Sequence, residues 1–424
     1  MGKKKSNKNV ESKEAEMNEL LKIYKVIMSK LNNKIKVLVT MSGGVDSSVA
    51  AALLVADGYD VTGAFMVNYD DIGPQGESCW AGDYQDALRV AAKLGIPLMR
   101  LNFVKEYKKT VLDYMYEEYR KGRTPNPDVL CNKFIKFGAW LDKAKKLGFD
   151  FIATGHYARL ANSPLGRGRG GLVLMEAKDK NKDQTYFLHQ LNQEQLKHIL
   201  FPIGDYTKPE VRKLAKKFNL PTAEKEESMG ICFIGEVPMK EFLMKKIKPN
   251  PGKIITSIGE VVGEHRGIPF YTIGERIGVK LQISNDKCQI KSKYQNSKPM
   301  YVVGKDIKKN ILIVGYEDDP LLYKKEIVVG ARHALPVHWI SGQPPKFPLK
   351  CEARLRHRQP LQKCVVYSPL VPIHEDRGSR SLREAIVGRG GLAGKFSTPQ
   401  RAVTPGQFAV FYKKGECLGG GVIQ

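Results

Sequence analysis

The chain has 424 residues and 42% hydrophobic content, which predicts two or three domains with packed cores. Its formal net charge of +25 attracts polyanions, so RNA, DNA or an anionic membrane would each suit it, and a solvated surface explains the excess equally well. There is no apolar run of about eighteen residues, so we expect no transmembrane helix. The seven cysteines contain no CxxC pair, which argues against a zinc site or a dense disulfide framework.

Residues 1–33 form a lysine-rich N-terminal extension without arginine and without the apolar core of a secretory signal. Import presequences are usually arginine-rich and poor in acidic residues, and this segment does not match that pattern. We expect a lysine-rich tail that runs into a helix near Met17–Leu31.

Residues 34–205 alternate between short apolar runs and amphipathic segments. This alternation predicts an α/β domain with a doubly wound parallel sheet that is covered by helices on both faces. Strands are expected at Ile35–Met41, Tyr59–Val67, Pro97–Phe103 and Phe151–Thr154, and helices at Val45–Asp57, Asp83–Leu94, Tyr107–Lys121 and Lys133–Leu147. Ser163–Gly171 is rich in glycine and arginine and is predicted to be an exposed loop.

A small central domain is expected over residues 206–290 and an all-β domain, barrel or sandwich, over residues 295–424. Thr207–Glu210 is a capping box that should start a helix reaching about Asn219. Strand-like runs in the last domain are Met300–Val303, Ile311–Val314, Glu326–Val329, Lys350–Leu355, Cys364–Tyr367 and Phe408–Tyr412. Glu375–Phe396 reads as an irregular basic insert.

The segment Met41–Ser48 (MSGGVDSS) lies between a predicted strand and a predicted helix. Two glycines let the backbone approach an anion, and the helix N-terminus offers unpaired N–H groups and the positive end of its dipole. The segment has no Walker lysine, so we do not expect it to grip a γ-phosphate as kinases do. It resembles the SGGxDS loop of ATP pyrophosphatases, which release pyrophosphate and leave an adenylated substrate. The alternative is an ordinary strand–helix turn capped by serine.

Two prolines in Gly122–Lys133 (GRTPNPDVLCNK) predict an extended loop before a helix that starts near Asn132. Cys131 would then lie near the helix N-terminus, where the dipole and Lys133 favour the thiolate. Asp128, three residues earlier, could act in acid–base chemistry or hydrogen-bond a base edge. A buried cysteine that packs a helix start explains the same pattern equally well.

Cys232 lies in Ser228–Gly235 (SMGICFIG), where apolar neighbours and glycines predict a strand with tight ends. From this pattern alone, an inert core cysteine is favoured over a reactive one.

Six motifs follow the phosphate loop in a fixed order. They are GRTPNPDxxCN from Gly122, ATGHYAR (Ala153–Arg159), KDQTYFL (Lys182–Leu188), GICFIGE (Gly230–Glu236), YTIGER (Tyr271–Arg276) and TPGQFAVFY (Thr404–Tyr412). With these motifs the chain resembles the tRNA-specific 2-thiouridylases, enzymes that thiolate the wobble uridine, from Ile35 to Ile423. The resemblance implies a pyrophosphatase domain, a small central domain and a C-terminal β-barrel.

The same resemblance implies roles for individual residues. ATP would be bound by Thr40, Met41, Ser42, Gly43, Gly44, Val45, Asp46, Ser47, Met66 and Gly155. The target base would meet Asn126, Pro127 and Asp128, and further tRNA contacts would come from His156, Lys182, Asp183, Gln184, Arg356, His357 and Gln407. Cys232 would carry a persulfide, and Cys131 would be nucleophile, acid or reductant and end in a disulfide with Cys232, with Asp128 as a further catalytic residue. No protein metal site is implied.

The implied cofactors are ATP with its Mg²⁺ and persulfide sulfur from a donor or relay protein. The implied partner is the anticodon stem-loop of Lys-, Glu- or Gln-type tRNAs, without a membrane. Many bacterial members have Thr where Met229 stands and Gln where Glu275 stands, and Ser228–Gly230 resembles the mitochondrial branch. A mitochondrial location is therefore expected, with the cytoplasm as the alternative because the N-terminus lacks arginine.

Two other classes compete for this chain. An ATP-dependent synthetase or amidotransferase acting on a small molecule explains the phosphate loop, but neither cysteine motif nor the basic excess. A non-catalytic RNA-binding protein that uses the C-terminal domain explains the charge, but not Asp46 and its loop. Pyrophosphate release that depends on tRNA, rather than on a small acid, would separate them.

Overall fold

The computed structural model describes residues 35–71, 78–162, 171–226, 238–277, 298–330, 336–368 and 391–424. The expected N-terminal helix, the segment around Cys232, most of the Gly/Arg-rich loop and most of the basic insert lie outside these residues. In the described part of the chain, no helix has the length and apolarity that a membrane span requires.

The first domain is built on a five-stranded parallel sheet. Its strands are β1 (Lys36–Thr40), β2 (Asp60–Val67), β3 (Leu98–Asn102), β4 (Phe151–Ala153) and β7 (Ile199–Leu200), in the order β3-β2-β1-β4-β7. The central strands are apolar and almost wholly buried, as expected for a sheet covered on both faces. The predicted doubly wound parallel sheet is confirmed.

Helices cover both faces of this sheet. They are α1 (Val45–Ala56), α2 (Ala81–Leu94), α3 (Val104–Tyr107), α4 (Asp113–Arg120), α5 (Pro127–Leu130), α6 (Trp140–Lys146), α7 (Thr185–Leu188), α8 (Gln193–Leu196) and α9 (Lys208–Lys217). One core cluster joins α1 and α9 to one face, and a second joins the segment from α3 to α6 to the other face. Wide π-helical turns at Lys108–Leu112 and Cys131–Ala139 link α3 to α4 and α5 to α6.

The helix that carries Cys131 begins earlier than its sequence indicated. It starts at Pro127, and the side chain of Asn126 caps it by accepting a hydrogen bond from the N–H of Val129 at 3.2 Å. The start near Asn132 was therefore wrong, because a proline at the first helical position is compatible with a helix rather than with a continuing loop. Cys131 consequently lies beyond the first turn, where the dipole acts less strongly.

The central domain contains helix α10 (Met239–Met244) and a five-stranded sheet. Its strands are β8 (Gly252–Thr256), β9 (Val261–His265), β10 (Arg276–Ile277), β11 (Met300–Asp306) and β12 (Ile311–Gly315), in the order β10-β11-β12-β8-β9. The expected boundary between residues 290 and 295 therefore does not coincide with the sheet, since β11 and β12 pair with central strands. Likewise α9, expected at the start of the central domain, packs with α1 in the first domain through Val211 and Ala215.

The third sheet has nine strands and contains the predicted C-terminal barrel. These strands are β5 (Ala158–Asn162), β6 (Leu172–Glu176), β13 (Tyr323–Val329), β14 (His338–Trp339), β15 (Leu349–Arg354), β16 (Gln362–Tyr367), β17 (Leu392–Arg401), β18 (Phe408–Lys413) and β19 (Glu416–Val422). A bridge between Val329 and Ile423 joins β13 back to the end of β19 and closes the barrel. The β5–β6 hairpin of the first domain extends this sheet, because Leu174 and Met175 pair with Cys417 and Glu416.

Candidate active site

The phosphate loop lies where β1 ends and α1 begins. Gly43 has φ +76°, and a side chain there would overlap the backbone of Asp83. The hydroxyls of Ser47 and Ser48 donate to the carbonyl oxygen of Gly44 at 3.0 and 2.8 Å, and the N–H of Ser42 donates to Ser47 Oγ at 3.2 Å. The loop is thus folded around its own serines at a helix N-terminus, which is the geometry that binds anions.

Gly155 approaches this loop from the end of β4. A Cβ at Gly155 would lie 2.7 Å from the backbone nitrogen of Ser47 and 2.8 Å from the carbonyl carbon of Asp46. Only glycine lets two backbones come this close. Gly155 therefore lies beside the phosphate loop, where the sequence resemblance expected it.

Asp46 is the centre of a polar cluster that sequence reasoning missed. Its Oδ1 accepts hydrogen bonds from the hydroxyl of Tyr157 at 2.9 Å and from Lys208 Nζ at 2.7 Å, and its Oδ2 lies 2.9 Å from the same nitrogen. Lys208 is the first residue of α9, 162 positions from Asp46. The capping box predicted the helix, but no local pattern indicated that its first residue reaches the loop.

The other expected ATP-binding residues lie where strands end or where α1 begins. Thr40, Met41 and Val45 are buried around the loop, and Met66 is 4% exposed near the end of β2. Met66 and Cys131 belong to the same core cluster, on the face of the sheet opposite α1. At the C-terminal ends of the strands, the phosphate loop therefore lies on one face of the sheet and the helix that carries Cys131 on the other.

The thiol of Cys131 is buried, and the residue has no exposed surface. The ammonium of Lys133 donates to Gln190 Oε1 at 3.1 Å, and burial lowers the pKa of Lys133. Lys133 was expected to favour the Cys131 thiolate, and its ammonium is hydrogen-bonded to Gln190, in the loop after α7.

Two buried asparagines near these elements have unsatisfied amide atoms. Asn68, just after β2, is 1% exposed, and its side-chain oxygen and nitrogen have no hydrogen-bond partner among the described residues. Asn132, next to Cys131, donates to the carbonyl oxygen of Asp128, while its own side-chain oxygen has no partner in the described part of the chain. An unmet polar group costs about 1–3 kcal/mol when buried. Both amides are therefore suited to a polar ligand, and their sequence positions alone gave no indication of it.

The base-contact segment meets the barrel through Gln407. Gln407 Nε2 donates to the carbonyl oxygen of Thr124 at 3.2 Å. Its Oε1 accepts from Asn126 Nδ2 at 3.2 Å and from the hydroxyl of Tyr186 at 3.4 Å. The structure thus brings together Asn126 and Gln407, which lie 281 positions apart and were expected to contact the same RNA.

The barrel pair expected to contact tRNA lies beside these residues. Arg356 is exposed, and the ring of His357 packs on Phe187 with 4.4 Å between centroids. Burial and Arg358 lower the pKa of His357 to about 4. His357 is therefore neutral near pH 7 and offers a hydrogen-bonding ring rather than a charge.

Three other residues that were expected to contact tRNA are buried or hydrogen-bonded within the protein. Asp183 is 2% exposed and pairs with Arg354, so its side chain joins the first domain to the barrel and is not open to RNA. Gln184 Oε1 accepts from the N–H of Tyr157 at 2.9 Å. His156 is 7% exposed, and burial together with Lys136 holds its pKa well below the ordinary value. Lys182, by contrast, is half-buried at the edge of this cluster.

Cys232 lies outside the described residues, but both flanks of its segment are held at the site. On one side, Lys225 binds Asp83 and Asp86 at 2.7 and 2.6 Å, beside Gly43. On the other side, α10 places Phe242 in a stack with Tyr116, with 5.8 Å between centroids. Lys225 and α10, which lie on either side of residues 227–237 in the sequence, are therefore both in contact with the first domain.

A parallel sheet with a glycine–serine loop at the end of β1 and no Walker lysine in that loop defines a nucleotide-binding domain of the ATP pyrophosphatase class. Residues 35–236 match the family model described as the tRNA methyl transferase HUP domain, residues 240–316 the PRC-barrel domain of that family, and residues 387–423 an aminomethyltransferase β-barrel domain. The tRNA-specific 2-thiouridylase MnmA of Streptococcus sanguinis is 46% identical over 395 residues, covering 92% of this chain and 96% of the relative. The chain belongs to the family of tRNA-specific 2-thiouridylases.

The same family is found at nearly equal similarity in another organism. The MnmA protein of Streptococcus agalactiae serotype III is 45% identical over 395 residues, with 92% and 96% coverage. A solved 4-thiouridine synthetase–RNA complex with bound ATP is 18% identical, and the match covers 50% of each chain at a TM-score of 0.30. The domain models carry methyltransferase names, whereas the full-length relatives are thiouridylases, and the pyrophosphatase loop agrees with the relatives.

Proposed function

We propose that this enzyme uses ATP to activate the C2 oxygen of a tRNA uridine and replaces that oxygen with sulfur. The observation that carries the proposal is the position of Asn126–Cys131. This segment packs against the nucleotide-binding sheet through Cys131 and Met66 and is hydrogen-bonded to the barrel through Gln407. A synthetase for small molecules has no need of a barrel at its acceptor segment.

The first step is adenylation. The C2 oxygen forms a bond to the α-phosphorus of ATP, the bond from that phosphorus to the bridging oxygen breaks, and the electron pair leaves with pyrophosphate. The loop at Ser42–Ser48 would hold the phosphates by N–H groups and hydroxyls. Magnesium, brought as the counter-ion of ATP, would neutralise phosphate charge. Among the described residues there is no cluster of three metal-ligating side chains.

The second step is sulfur transfer. The terminal sulfur of a Cys232 persulfide would attack C2, and AMP would depart with the former base oxygen. The thiolate of Cys131 would then attack Cys232 Sγ and break the persulfide S–S bond, which releases the thiouridine and leaves a Cys131–Cys232 disulfide. Two thiols are oxidised while the transferred sulfur is reduced, so the electrons balance. An external reductant and a sulfur-donor protein must regenerate the persulfide, and Cys131 as a proton donor is the alternative role.

The tRNA would lie across the first domain and the barrel. Exposed Arg356 and Arg358 flank His357 there, next to Gln407 and Asn126. Base chemistry requires the target uridine to leave the anticodon stack, and the basic surface would hold the RNA backbone in a salt-dependent manner. The resemblance to the family makes Lys-, Glu- and Gln-type tRNAs the proposed substrates.

The test is thiolation of tRNA by variants of single cysteines, measured by mass spectrometry of the nucleosides. Cys131→Ser and Cys232→Ser should each abolish 2-thiouridine, while Cys79→Ser, at an exposed thiol, should retain wild-type activity. Full activity in either of the first two variants would contradict the assigned roles. Pyrophosphate release that is independent of tRNA but stimulated by a small acid would favour the synthetase.

A mitochondrial location is a separate proposal. It rests on Ser228–Gly230 of the sequence, which resembles the mitochondrial branch of the family. Fractionation of cells that express the full chain would test it, and recovery in the cytosol alone would contradict it.

A further inference from the structure

The phosphate loop contains no lysine, yet a lysine from another element lies against it. Lys208 Nζ is 2.7 and 2.9 Å from the two carboxylate oxygens of Asp46, which is the second residue of α1. The Lys208 side chain is 12% exposed. A largely buried ammonium thus stands at the loop that the proposed function assigns to ATP.

The backbone of Lys208 is held firmly. Its N–H donates to Asp179 Oδ2 at 2.9 Å, and Thr207 and Glu210 form a reciprocal capping box around the first turn of α9. The methylene groups of the Lys208 side chain reach from this fixed backbone to Asp46. Asp46 also accepts a hydrogen bond from the hydroxyl of Tyr157. The backbone of Lys208 is therefore fixed, while its side chain can move and carries a positive charge at its end. Lysine binds phosphate in this way, as a point charge.

We propose that Lys208 is the phosphate-binding lysine of this enzyme, exchanging Asp46 for the pyrophosphate part of ATP. The inference rests on the proposed assignment of Ser42–Ser48 as the ATP site. When the bond between the α-phosphorus and the bridging oxygen breaks, the electron pair leaves with pyrophosphate. The ammonium keeps its proton and neutralises part of that charge. Asp46 holds the lysine in place before ATP arrives.

The direct test is calorimetric binding of inorganic pyrophosphate, ATP and AMP to the full chain. Lys208→Met keeps the stem and removes the charge, and it should weaken pyrophosphate and ATP binding about tenfold or more, as expected for a charge-assisted hydrogen bond. AMP binding should be unchanged, because AMP lacks the pyrophosphate part. Lys208→Arg should recover much of the affinity. The matched control is Lys178→Met, which removes a lysine paired with Glu210 of the same helix at 2.9 Å and should bind all three ligands normally.

A second variant separates phosphate binding from a structural role. Asp46→Asn removes the competitor for Lys208, so magnesium-free pyrophosphate should bind more tightly than to wild type, and this gain should vanish in the double variant with Lys208→Met. Equal loss of AMP and pyrophosphate affinity in Lys208→Met would assign the lysine a structural role and overturn the inference, as would unchanged pyrophosphate affinity. If wild-type protein binds neither ATP nor pyrophosphate, the ATP site itself is wrong and both proposals fall.

Discussion

Gly155 offers a sharp test of the phosphate loop because its effect can be worked from the backbone alone. In Gly155→Ala the new methyl group would lie 2.7 Å from Ser47 N, 2.8 Å from the carbonyl carbon of Asp46 and 3.0 Å from Ser47 Cα. These are backbone atoms at the start of α1, so the clash cannot be relieved by rotation of a side chain. The backbone angles of Gly155 lie outside the left-handed region, and the substitution therefore acts through the clash rather than through strain at residue 155.

The loop must move by roughly half an ångström, and overpacking of this kind costs about 1–3 kcal/mol. If that cost falls on the nucleotide-bound form, the Kd for ATP should rise about five- to 150-fold. Titration calorimetry with ATP measures this, and the KM for tRNA should change little. The control is Gly82→Ala in α2, where an added Cβ meets nothing within 4 Å. There, alanine should leave ATP binding unchanged and stabilise the helix by about 0.5 kcal/mol. Wild-type ATP affinity in Gly155→Ala would refute the loop geometry.

Arg354, His189 and Gln407 each hold contacts whose loss can be measured. Arg354→Met removes the guanidinium from the buried carboxylates of Asp183 and Glu176, of which Glu176 keeps its pair with Lys180, and should lower the free energy of unfolding by about 3–5 kcal/mol; an unchanged urea midpoint would contradict this. Burial lowers the pKa of His189 to about 3. As the pH falls below about 6.5, the unfolded chain therefore binds a proton at this residue, whereas the native protein does not. Native stability should therefore decline by up to about 1.4 kcal/mol per pH unit between about 6.5 and 3 from this group, and His189→Gln should flatten the slope measured by urea unfolding. Gln407→Ala removes the contacts to Asn126 and Thr124 and should lower kcat/KM for tRNA about tenfold without changing the KM for ATP; equal changes in both constants would show a global defect instead.

The fold followed closely from local sequence signals in the first domain. Apolar runs and glycine stops predicted β1 to β4 within a residue or two, because buried parallel strands have few alternatives. Prediction failed where pairing is long-range. The hairpin β5–β6 joins the barrel by pairing with β19, and β11 with β12 joins the central sheet, although neither partner is near in sequence.

In the site, too, residues with a local sequence signal were predicted and residues that act through long-range contacts were not. The loop at Ser42–Ser48 and Gly155 could be placed from sequence because their chemistry requires glycines and serines at set spacing. Lys208, Tyr157 and Asn68 could not, since a lysine in a capping box or an asparagine after a strand has no local signature of its partner. Asp183, which the family resemblance made a tRNA contact, is buried in an ion pair with Arg354, and no local pattern indicated that partner.

If ATP activates the C2 oxygen of uridine, that oxygen must leave with AMP, and an isotope label shows where it goes. A tRNA whose uridines carry oxygen-18 at C2 is incubated with ATP and persulfide-loaded enzyme, and AMP is analysed by mass spectrometry. Adenylation of that oxygen predicts one labelled AMP and one pyrophosphate for each 2-thiouridine formed. Thiouridine formed together with unlabelled AMP would contradict adenylation of the C2 oxygen, because that oxygen would then have left uridine without being bonded to phosphorus.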